Sequence, residues 1–561
     1  MRRASLALAA GLALADASIV TLGLPSILIE LESTVEGVAL ILGVYTAVLA
    51  VSLLPASSLA GRIGAARLGA AGIALFALAS LACGASNSLG LLLVLRGVQA
   101  LGGAAALVGT FELLDGGRPG PGRRLWVAAS VFGVAVGPAL GGALTEAFDW
   151  RAIFLAQVPL AVPGAIVAWR EVPRPGAGGD PAKQEASSRQ ERASGPLPGR
   201  PTIALALLSA ALTAVIFLVV LLLVSGWSIE PLIAALAVSV LPVAALLASR
   251  VPGDPETRAV AGCLLVAGGI ACLALLPAAS ALWTVVPQIL AGAGMGMALP
   301  ALAGELIPEV TRRDAARLLT IRHAGIALAL ALLAPIVSAN LDSTIREARE
   351  QGAAAVLDAR LDPEDKIDLA PAIFADVNTD DPRGQLERSV ASAQEGLEGN
   401  EAEELASLGN RLDDVVTGAV RSAFRIAFIV TAGLALAGAL VLLWGALAPA
   451  VRIRRGAVAA GAIVAVAATA AYCIVFAQSE RETVALADPC QERELPGTGG
   501  IGGLFQDLSL EALDRAACEF GSSREELLLA LFDDNLRDEF EQEHGVDPAS
   551  LTELGPALFG L

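Results

Sequence analysis

The chain has 561 residues, of which 55% are hydrophobic and only 17% are charged, and its mean hydropathy is +0.67. Because about a quarter of the residues in a soluble domain are charged, this composition excludes an ordinary soluble protein. Two stretches carry more than the whole net charge of −18: residues 341–420 hold 19 acidic and 7 basic residues (net −12), and residues 478–561 hold 19 acidic and 5 basic residues (net −14). The rest of the chain is therefore net +8. Neither stretch suits nucleic acid, which binds positive charge.

The first predicted element is an apolar stretch that reaches Ile29 and contains Asp16. One interpretation is a secretory signal peptide, with two arginines at its start and a cleavage site near Ala15. The other is a membrane span. The apolar run continues well beyond Ala15 to a length of about 25 residues, enough to cross a hydrocarbon core of about 30 Å. We therefore favour the span.

Twelve further apolar stretches follow, which makes thirteen predicted spans. Each must be helical, because a backbone in lipid has to satisfy its own hydrogen bonds. The predicted fold class is therefore an all-α membrane protein. The twelve stretches are 39–56, 69–86, 89–111, 125–145, 152–169, 202–225, 229–249, 259–279, 283–304, 318–339, 424–447 and 456–477.

The spans group into two halves of six helices, joined by a linker rich in Pro, Gly and Ser. A chain of this kind is typical of transporters built from repeated halves, in which the substrate site lies between the halves. A thirteenth helix and two acidic additions complete the chain. The predicted segments are 1–170 (first half), 171–201 (linker), 202–447 (second half, with an insertion at 341–420), 456–477 (thirteenth helix) and 478–561 (tail).

Basic residues predict the orientation, because cytoplasmic loops carry an excess of Lys and Arg. With the N-terminus in the cytoplasm, the inside segments hold 21 basic residues and the short outside loops hold only Arg151. This predicts a multi-pass protein of a bacterial plasma membrane with its C-terminus outside. The lipid bilayer is then an obligatory partner.

Four stretches resemble motifs of the major facilitator superfamily, and specifically of its multidrug:proton antiporter branch. They are LADASIVTLGLPSI (14–27), LRGVQALGGAAAL (95–107), GVAVGPALGGAL (133–144) and DWRAIFLAQVP (149–159). The second half matches more loosely. The resemblance implies secondary transport, with protons and a small amphipathic molecule as partners and no cofactor.

Asp16 and Arg96 are the predicted coupling residues. A carboxylate at mid-bilayer costs about 2.5–3.5 kcal/mol on insertion scales, and such residues usually face a bundle interior or a water-filled cavity. Asp16 could carry a proton or contact the substrate; the alternative is a structural acid bonded to neighbouring helices. Arg96 either tunes a carboxylate, as the resemblance implies, or fixes helix positions through backbone carbonyls. Gln99, Gln157 and Gln288 are predicted to line the cavity or to bond between helices.

The fifth-helix motif is predicted to be a packing device. Its glycines recur four residues apart, which makes one smooth helix face for close packing, and its proline bends the helix. The residues are Gly133, Gly137, Pro138, Gly141 and Gly142.

The loop after the second helix departs from the family pattern. In SSLAGRIGAARLG, Gly61 stands where the family has an acid, whereas Arg62, Gly64 and Arg67 match. The resemblance implies that this loop helps to hold the inward gate shut, so the charge pair of that gate is in question.

Other ionisable residues are predicted to be less specific. We expect Arg322 and His323, at the cytoplasmic start of the eleventh span, to be interfacial anchors rather than a proton relay. We expect most acids at span ends, among them Glu112 and Glu305, to be solvated. No metal-ligand, phosphate-loop or nucleophile–base spacing is present, so an enzyme is not favoured.

The tail is predicted to be a small helical module. Cys490 and Cys518 could form a disulfide outside the cell, where such bonds persist. Ser509 precedes one helical stretch, and either Ser522 or Ser523 begins a capping box before the next. The tail is either inert or a docking module for a cell-envelope protein. A transporter-derived scaffold or sensor that acts through its outside segments is therefore the alternative to a proton-driven exporter.

Overall fold

A computed structural model describes the architecture of the chain. It covers residues 2–114, 120–172, 197–306, 311–361, 382–394, 400–444, 454–479, 486–491, 493, 495–497 and 500–550. Every regular element among these residues is helical. The helices are α1 (Arg2–Thr21), α2 (Leu24–Glu30), α3 (Val35–Ile63), α4 (Ala65–Gly84), α5 (Leu89–Leu113), α6 (Pro121–Ala147), α7 (Arg151–Arg170), α8 (Gly199–Leu221), α9 (Pro231–Ala248), α10 (Pro255–Leu273), α11 (Ala281–Pro300), α12 (Arg312–Leu357), α13 (Pro382–Gln394), α14 (Asn400–Trp444), α15 (Arg455–Ser479), α16 (Gly500–Phe520), α17 (Arg524–Phe532) and α18 (Asp534–His544).

The predicted fold class is confirmed. Among the described residues, twelve helices are long and apolar enough to cross a membrane. The remaining predicted span, 125–145, forms the 27-residue helix α6. The first predicted span differs in detail, because it is broken into α1 and α2 at Leu22 and Gly23. Pro25 in the first turn of α2 suits this restart, since that position needs no backbone N–H donor.

The described residues divide into two units. The first contains Met1–Val224, Ile229–Ser338 and Phe424–Ala477. The second contains Ser225–Ser228, Ala339–Ala423 and Gln478–Leu561. The insertion and the tail, which the sequence suggests as separate additions, therefore belong to one unit. Most of the predicted linker, residues 173–196, lies outside the described part of the chain.

The fifth-helix motif packs α6 against two other helices of the first unit. A Cβ atom added to Gly141 would lie 2.1 Å from the carbonyl oxygen of Ile19 in α1, and one added to Gly137 would lie 2.1 Å from Ser18 Oγ. A Cβ atom on Gly142 would lie 2.2 Å from Ala235 Cβ in α9. The motif thus brings α6 into backbone contact with α1 and close to the second half. Gly133 lies in α6, but its surroundings are outside the described residues.

Close glycine packing occurs at related places in the two halves. A Cβ atom on Gly102 of α5 would lie 2.5 Å from the backbone nitrogen of Phe76 in α4. In the second half, a Cβ atom on Gly262 of α10 would lie 2.5 Å from the carbonyl oxygen of Gly294 in α11. Small residues let helix backbones approach closely in a membrane. The third and fourth spans of each half therefore pack in the same way, as expected of repeated halves.

The second unit has small apolar clusters. One consists of Ala516, Ala517, Leu527, Ala530 and Phe540, all from α16 to α18. The other consists of Ala355, Val356, Ala359, Leu361, Leu386, Leu405, Leu408 and Leu412, all from the insertion. The structure joins Cys490 to Cys518 by a disulfide, with 5.1 Å between their Cα atoms.

Ion pairs connect the tail to the insertion inside this unit. Arg524 is 1% exposed at its side chain, and its Nη2 atom lies 2.7 Å from Asp358 Oδ1 and 2.9 Å from Glu525 Oε1. Arg346 Nη2 of the insertion likewise lies 2.5 Å from Glu539 Oε1 of the tail. Buried charges need such partners because desolvation is expensive. These pairs explain why two segments far apart in the chain belong to one unit.

Helix boundaries in the tail differ partly from those expected. Of the two possible capping boxes, the structure has the one in which Ser523 accepts from the backbone N–H of Glu526 and the Glu526 carboxylate accepts from that of Ser523. The preceding helix α16 begins at Gly500 rather than after Ser509. Gly521, at the end of that helix, has a φ of +71°, a conformation that favours glycine.

Candidate functional site

Asp16 lies in the interior of the first half, in the last third of α1. Its side chain is 0% exposed, so it faces neither lipid nor water. The helix breaks six residues later, and α2 continues the span. The carboxylate is therefore held by neighbouring helices, as expected of an ionisable residue inside a membrane.

Three N–H donors surround the Asp16 carboxylate. Arg96 Nη1 lies 2.5 Å from Oδ2. Gln99 Nε2 and Gln157 Nε2 lie 3.1 Å and 3.0 Å from Oδ1. These donors come from α5 and α7, so the network joins three helices of the first half. Hydrogen bonds of this charge-assisted kind are about twice as strong as neutral ones.

Further contacts hold the partners of Asp16 in place. Arg96 Nε donates to the carbonyl oxygen of Ile41 at 3.2 Å, and its Nη1 donates to Gln99 Oε1 at 2.6 Å. Gln99 Nε2 lies 2.8 Å from Ser80 Oγ of α4. Arg96 Nη2, which is buried, has no hydrogen-bond partner among the described residues. The guanidinium thus keeps one unused donor beside the carboxylate.

The ring of Tyr45 covers the Arg96 guanidinium. The guanidinium carbon lies 4.4 Å from the ring centroid of Tyr45 and 5.6 Å from that of Phe154. These are cation–π distances. The Tyr45 hydroxyl donates to the carbonyl oxygen of Ala13 at 2.7 Å, which fixes the ring against α1.

Tyr45 also lines a cavity in the first unit. The cavity has a volume of about 40 Å³, enough for a few water molecules. Residues of both halves line it, from α1, α3, α8 and α12. They are Ala13, Leu14, Ala17, Ser18, Thr21, Tyr45, Thr46, Thr213, Ile216, Arg322, His323 and Ile326. Tyr45 therefore lines the cavity with its side chain and also packs on Arg96 of the Asp16 network.

The three glutamines predicted to line the cavity do not line it in the structure. Gln99 and Gln157 are bonded to Asp16 inside the first half. Gln288 is 1% exposed and donates to Thr284 Oγ1 of its own helix at 2.9 Å. The first two instead take the alternative role foreseen for them, bonding between helices.

Arg322 and His323 lie deeper than their predicted place at the membrane interface. The helix α12 begins at Arg312, six residues before the start of the predicted span. Arg322 is therefore about 15 Å along the helix at 1.5 Å per residue, and it lines the cavity. His323 is 5% exposed, and its Nδ1 atom lies 2.8 Å from the carbonyl oxygen of Leu319. Both residues line the cavity rather than the outer surface of the bundle, which disagrees with the prediction of interfacial anchors.

The two halves are linked at the end of the bundle predicted to be cytoplasmic. Arg312 Nη1 at the start of α12 lies 2.8 Å from Glu112 Oε2 at the end of α5. Arg123 Nη2 of α6 donates to the carbonyl oxygen of Gly304 at 3.1 Å. Glu305, also expected to be solvated, pairs with Arg258. We call the Arg312–Glu112 pair the inner gate pair.

The loop predicted to form the gate lies beside this pair. Gly64 separates α3 from α4 with a φ of +92°, so its place in the loop requires glycine. Arg62 and Arg67 are exposed. A Cβ atom at Gly61 would lie 3.2 Å from Arg312 Nη2. The acid missing at Gly61 would thus have met Arg312, which pairs with Glu112 instead.

Several residues of the site escape sequence reasoning. Ser80 lies in a helix without a distinguishing pattern, and Phe154 lies in the motif stretch 149–159, in which nothing singles it out. Tyr45 carries a usable signal, because it is one of only two tyrosines in the chain and stands inside an apolar span. Thr46 and Thr213 also stand inside apolar spans. They carry no usable signal, because threonines in spans usually bond their own helix backbone.

The family model of the Major Facilitator Superfamily matches residues 6–334, which is more than half of the chain. This chain belongs to that superfamily. The predicted resemblance is thereby confirmed.

Curated members of the superfamily match parts of the chain. The multidrug resistance protein Stp of Mycobacterium tuberculosis (strain CDC 1551 / Oshkosh) is 34% identical over 157 residues, 27% of this chain and 29% of Stp. The methylenomycin A resistance protein of Streptomyces coelicolor is 32% identical over 251 residues, 44% of this chain and 49% of that protein. The chain thus covers less than half the length of these relatives.

A solved structure of the superfamily has a similar fold. A bacterial homologue of the human lysosomal transporter Spinster, in an inward-facing and occupied conformation, superposes with a TM-score of 0.55. It is 16% identical, and the match covers 79% of this chain and 96% of that chain. At this identity the likeness concerns the fold alone.

Proposed function

We propose that the protein is a proton-coupled antiporter that exports small amphipathic compounds by alternating access. The observation that carries the proposal is the Asp16–Arg96 pair. It is completely buried, and it is separated by the single ring of Tyr45 from a cavity lined by both halves. A titratable group beside a central cavity suits proton coupling, and the names of the matched relatives concern drug resistance.

Coupling would operate through the ion pair. When Asp16 is ionised, its three donors hold α1, α5 and α7 together. When Asp16 takes up a proton, the attraction to Arg96 is lost and the guanidinium needs new partners. Because Tyr45 packs on Arg96 and is bonded to α1, such a shift would reach the cavity wall. Binding of substrate and binding of a proton would thus influence each other.

The proposed orientation has the N-terminus in the cytoplasm and the C-terminus outside a bacterial plasma membrane. It is supported by the distribution of arginines over the predicted loops and by the disulfide in the second unit, since disulfides persist outside the cytoplasm. In this orientation a proton moves inward with the membrane potential, which supplies about 2.3 kcal/mol per charge per 100 mV. The inner gate pair then closes the cytoplasmic side.

A non-transporting scaffold remains the second candidate function. The feature that favours it is the second unit, which has its own apolar clusters, a disulfide and a buried ion network. Its surface would then dock a cell-envelope protein. A scaffold has no need of a cavity beside a buried ion pair, so the two candidates differ in what they predict for transport.

Dye efflux from intact cells tests the proposal. Cells that express the wild type are expected to export an amphipathic dye, and an uncoupler is expected to stop the export. Asp16→Asn removes the titratable group while keeping the shape of the side chain, and it is expected to reduce export at least tenfold at equal expression. Export that survives in this variant would contradict the role of Asp16. A wild type that exports no dye would favour the scaffold.

A further inference from the structure

The cavity carries a positive charge that no acid neutralises. Arg322 lines it, and its Nε atom is buried without a hydrogen-bond partner among the described residues. No Asp or Glu is among the described residues that line the cavity. Arg322 also makes no ion pair with any described carboxylate, in contrast to Arg96, which is paired with Asp16. A guanidinium that is half-buried in an interior cavity and has no counter-ion among the described residues can take one from a bound ligand.

Four of the five hydroxyl groups that line the cavity are already committed as donors, and only that of Thr213 makes no hydrogen bond among the described residues. Ser18 and Thr21 donate to carbonyl oxygens of their own helix at 2.7 Å, and Thr46 does so at 2.9 Å. Since each hydroxyl has one proton, these three offer only lone pairs to a bound molecule. The Tyr45 hydroxyl is likewise committed to Ala13. The donors that remain toward a bound anion are the charged guanidinium of Arg322 and the neutral hydroxyl of Thr213, and the charged group makes the stronger hydrogen bond.

The remaining wall is apolar or a neutral ring. His323 Nδ1 faces the carbonyl oxygen of Leu319, which places the ring proton on Nδ1 and leaves Nε2 as the acceptor of a neutral imidazole. Leu14, Ile216 and Ile326 supply apolar surface. A ligand that fits these groups has one anionic end and an apolar body.

We propose that the exported substrate is an amphipathic anion whose carboxylate or similar oxyanion binds Arg322. Its apolar body would lie against the aliphatic wall, and any hydroxyl or amine of the substrate would donate to the threonine and serine oxygens. A guanidinium suits this role because its N–H groups match the two oxygens of a carboxylate. The inference rests on the proposed function and specifies the substrate class of that same cavity.

The test compares dyes that carry a carboxylate with their methyl esters, which lack that carboxylate but keep the rest of the dye. Fluorescein, rhodamine B and the methyl esters of both are loaded into cells, and export is measured under an imposed proton gradient. The wild type is expected to export each acid at least tenfold faster than its ester. Arg322→Gln is expected to remove this preference, and Arg322→Lys, which keeps the charge, is expected to retain part of it.

The controls separate folding from recognition. Arg250, which is exposed outside the cavity, provides the matched variant Arg250→Gln, which is expected to behave like the wild type. The melting temperature of each variant in detergent shows whether it folds. A wild type that exports the dyes without preferring acids, or a folded Arg322→Gln that keeps the preference, would overturn the inference and leave proton-driven export standing. A wild type that exports none of the four dyes would contradict the proposed function itself.

Discussion

The role that we propose for an ionisable residue in this protein depends on which groups surround its side chain. Asp16 and Arg96 neutralise each other in the interior of the first half, with no exposed side-chain surface on either. Arg322 has no such partner among the residues that the structure describes, and this difference separates the proposed coupling site from the proposed substrate site. The identity of an arginine alone does not show this difference.

The Asp16–Arg96 pair predicts a particular pattern of stability. Arg96→Met leaves the buried carboxylate without a counter-ion, and breaking a buried pair in this way costs about 3–5 kcal/mol. Asp16→Asn together with Arg96→Met removes both charges and is expected to unfold closer to the wild type. Thermal unfolding in detergent measures both variants. Equal melting temperatures of the single and double variants would show that the pair is not coupled.

At the scale of residues, the sequence predicted Asp16 and Arg96 as candidate site residues but did not predict that their side chains form an ion pair. Asp16 and Arg96 were found as ionisable residues inside spans. That they pair across 80 positions of sequence depends on helix rotation, which an apolar pattern does not report. For the same reason the sequence leaves Gln99 and Gln157 between two roles, lining the cavity or bonding between helices, because a polar residue of a span can face either place.

At the scale of elements, small residues determine which helices touch. The glycines of α6 bring it against the backbone of α1, the helix that carries Asp16. The predicted packing role of this motif agrees with these contacts. Helix ends are harder to predict, since charged residues continue a helix beyond its apolar core. The helix α12 shows this, because it begins at Arg312 whereas the predicted span begins at residue 318.

A pair of glycine substitutions tests the packing role. Gly141→Ala places a methyl group against a backbone oxygen of α1, and overpacking of this kind usually costs about 1–3 kcal/mol. Gly43→Ala is the matched control, because a Cβ atom there meets nothing within 4 Å and alanine favours a helix by up to about 1 kcal/mol. We expect Gly141→Ala to lower the melting temperature and Gly43→Ala to preserve or raise it. Similar effects at both positions would refute the packing role.

At the scale of the whole molecule, the two halves share a cavity and are joined by the ion pair between Glu112 and Arg312. The number of spans and the division into halves were predictable, because both follow from long apolar stretches and from loop charges. The loop of Arg62 and Arg67 stays a predicted gate, and the ion pair between Glu112 and Arg312 that lies beside it could not be predicted from the sequence. The joining of the insertion with the tail into one unit depends on ion pairs between segments far apart in sequence, which no local pattern indicates.

Charge exchange at the inner gate pair tests its role in closing the cavity. Arg312→Glu is expected to open the predicted cytoplasmic side by repulsion from Glu112, and the added Glu112→Arg is expected to restore closure. The readout is the labelling rate of Ala17→Cys by a charged thiol reagent in inside-out vesicles, with the four free cysteines (Cys83, Cys263, Cys272 and Cys473) replaced first. We expect labelling to be several-fold faster in the single variant only. Equal rates in all three proteins would show that the pair does not gate the cavity.

The central claim is that Asp16 carries the proton that drives export. The most direct test reconstitutes the purified wild type and the purified Asp16→Asn variant into proteoliposomes that contain a pH-sensitive dye. For the wild type, the account predicts that export of a dye substrate moves protons the opposite way. For Asp16→Asn it predicts exchange of labelled for unlabelled substrate within about twofold of the wild type, with no proton movement. Proton movement that persists in Asp16→Asn would contradict the account.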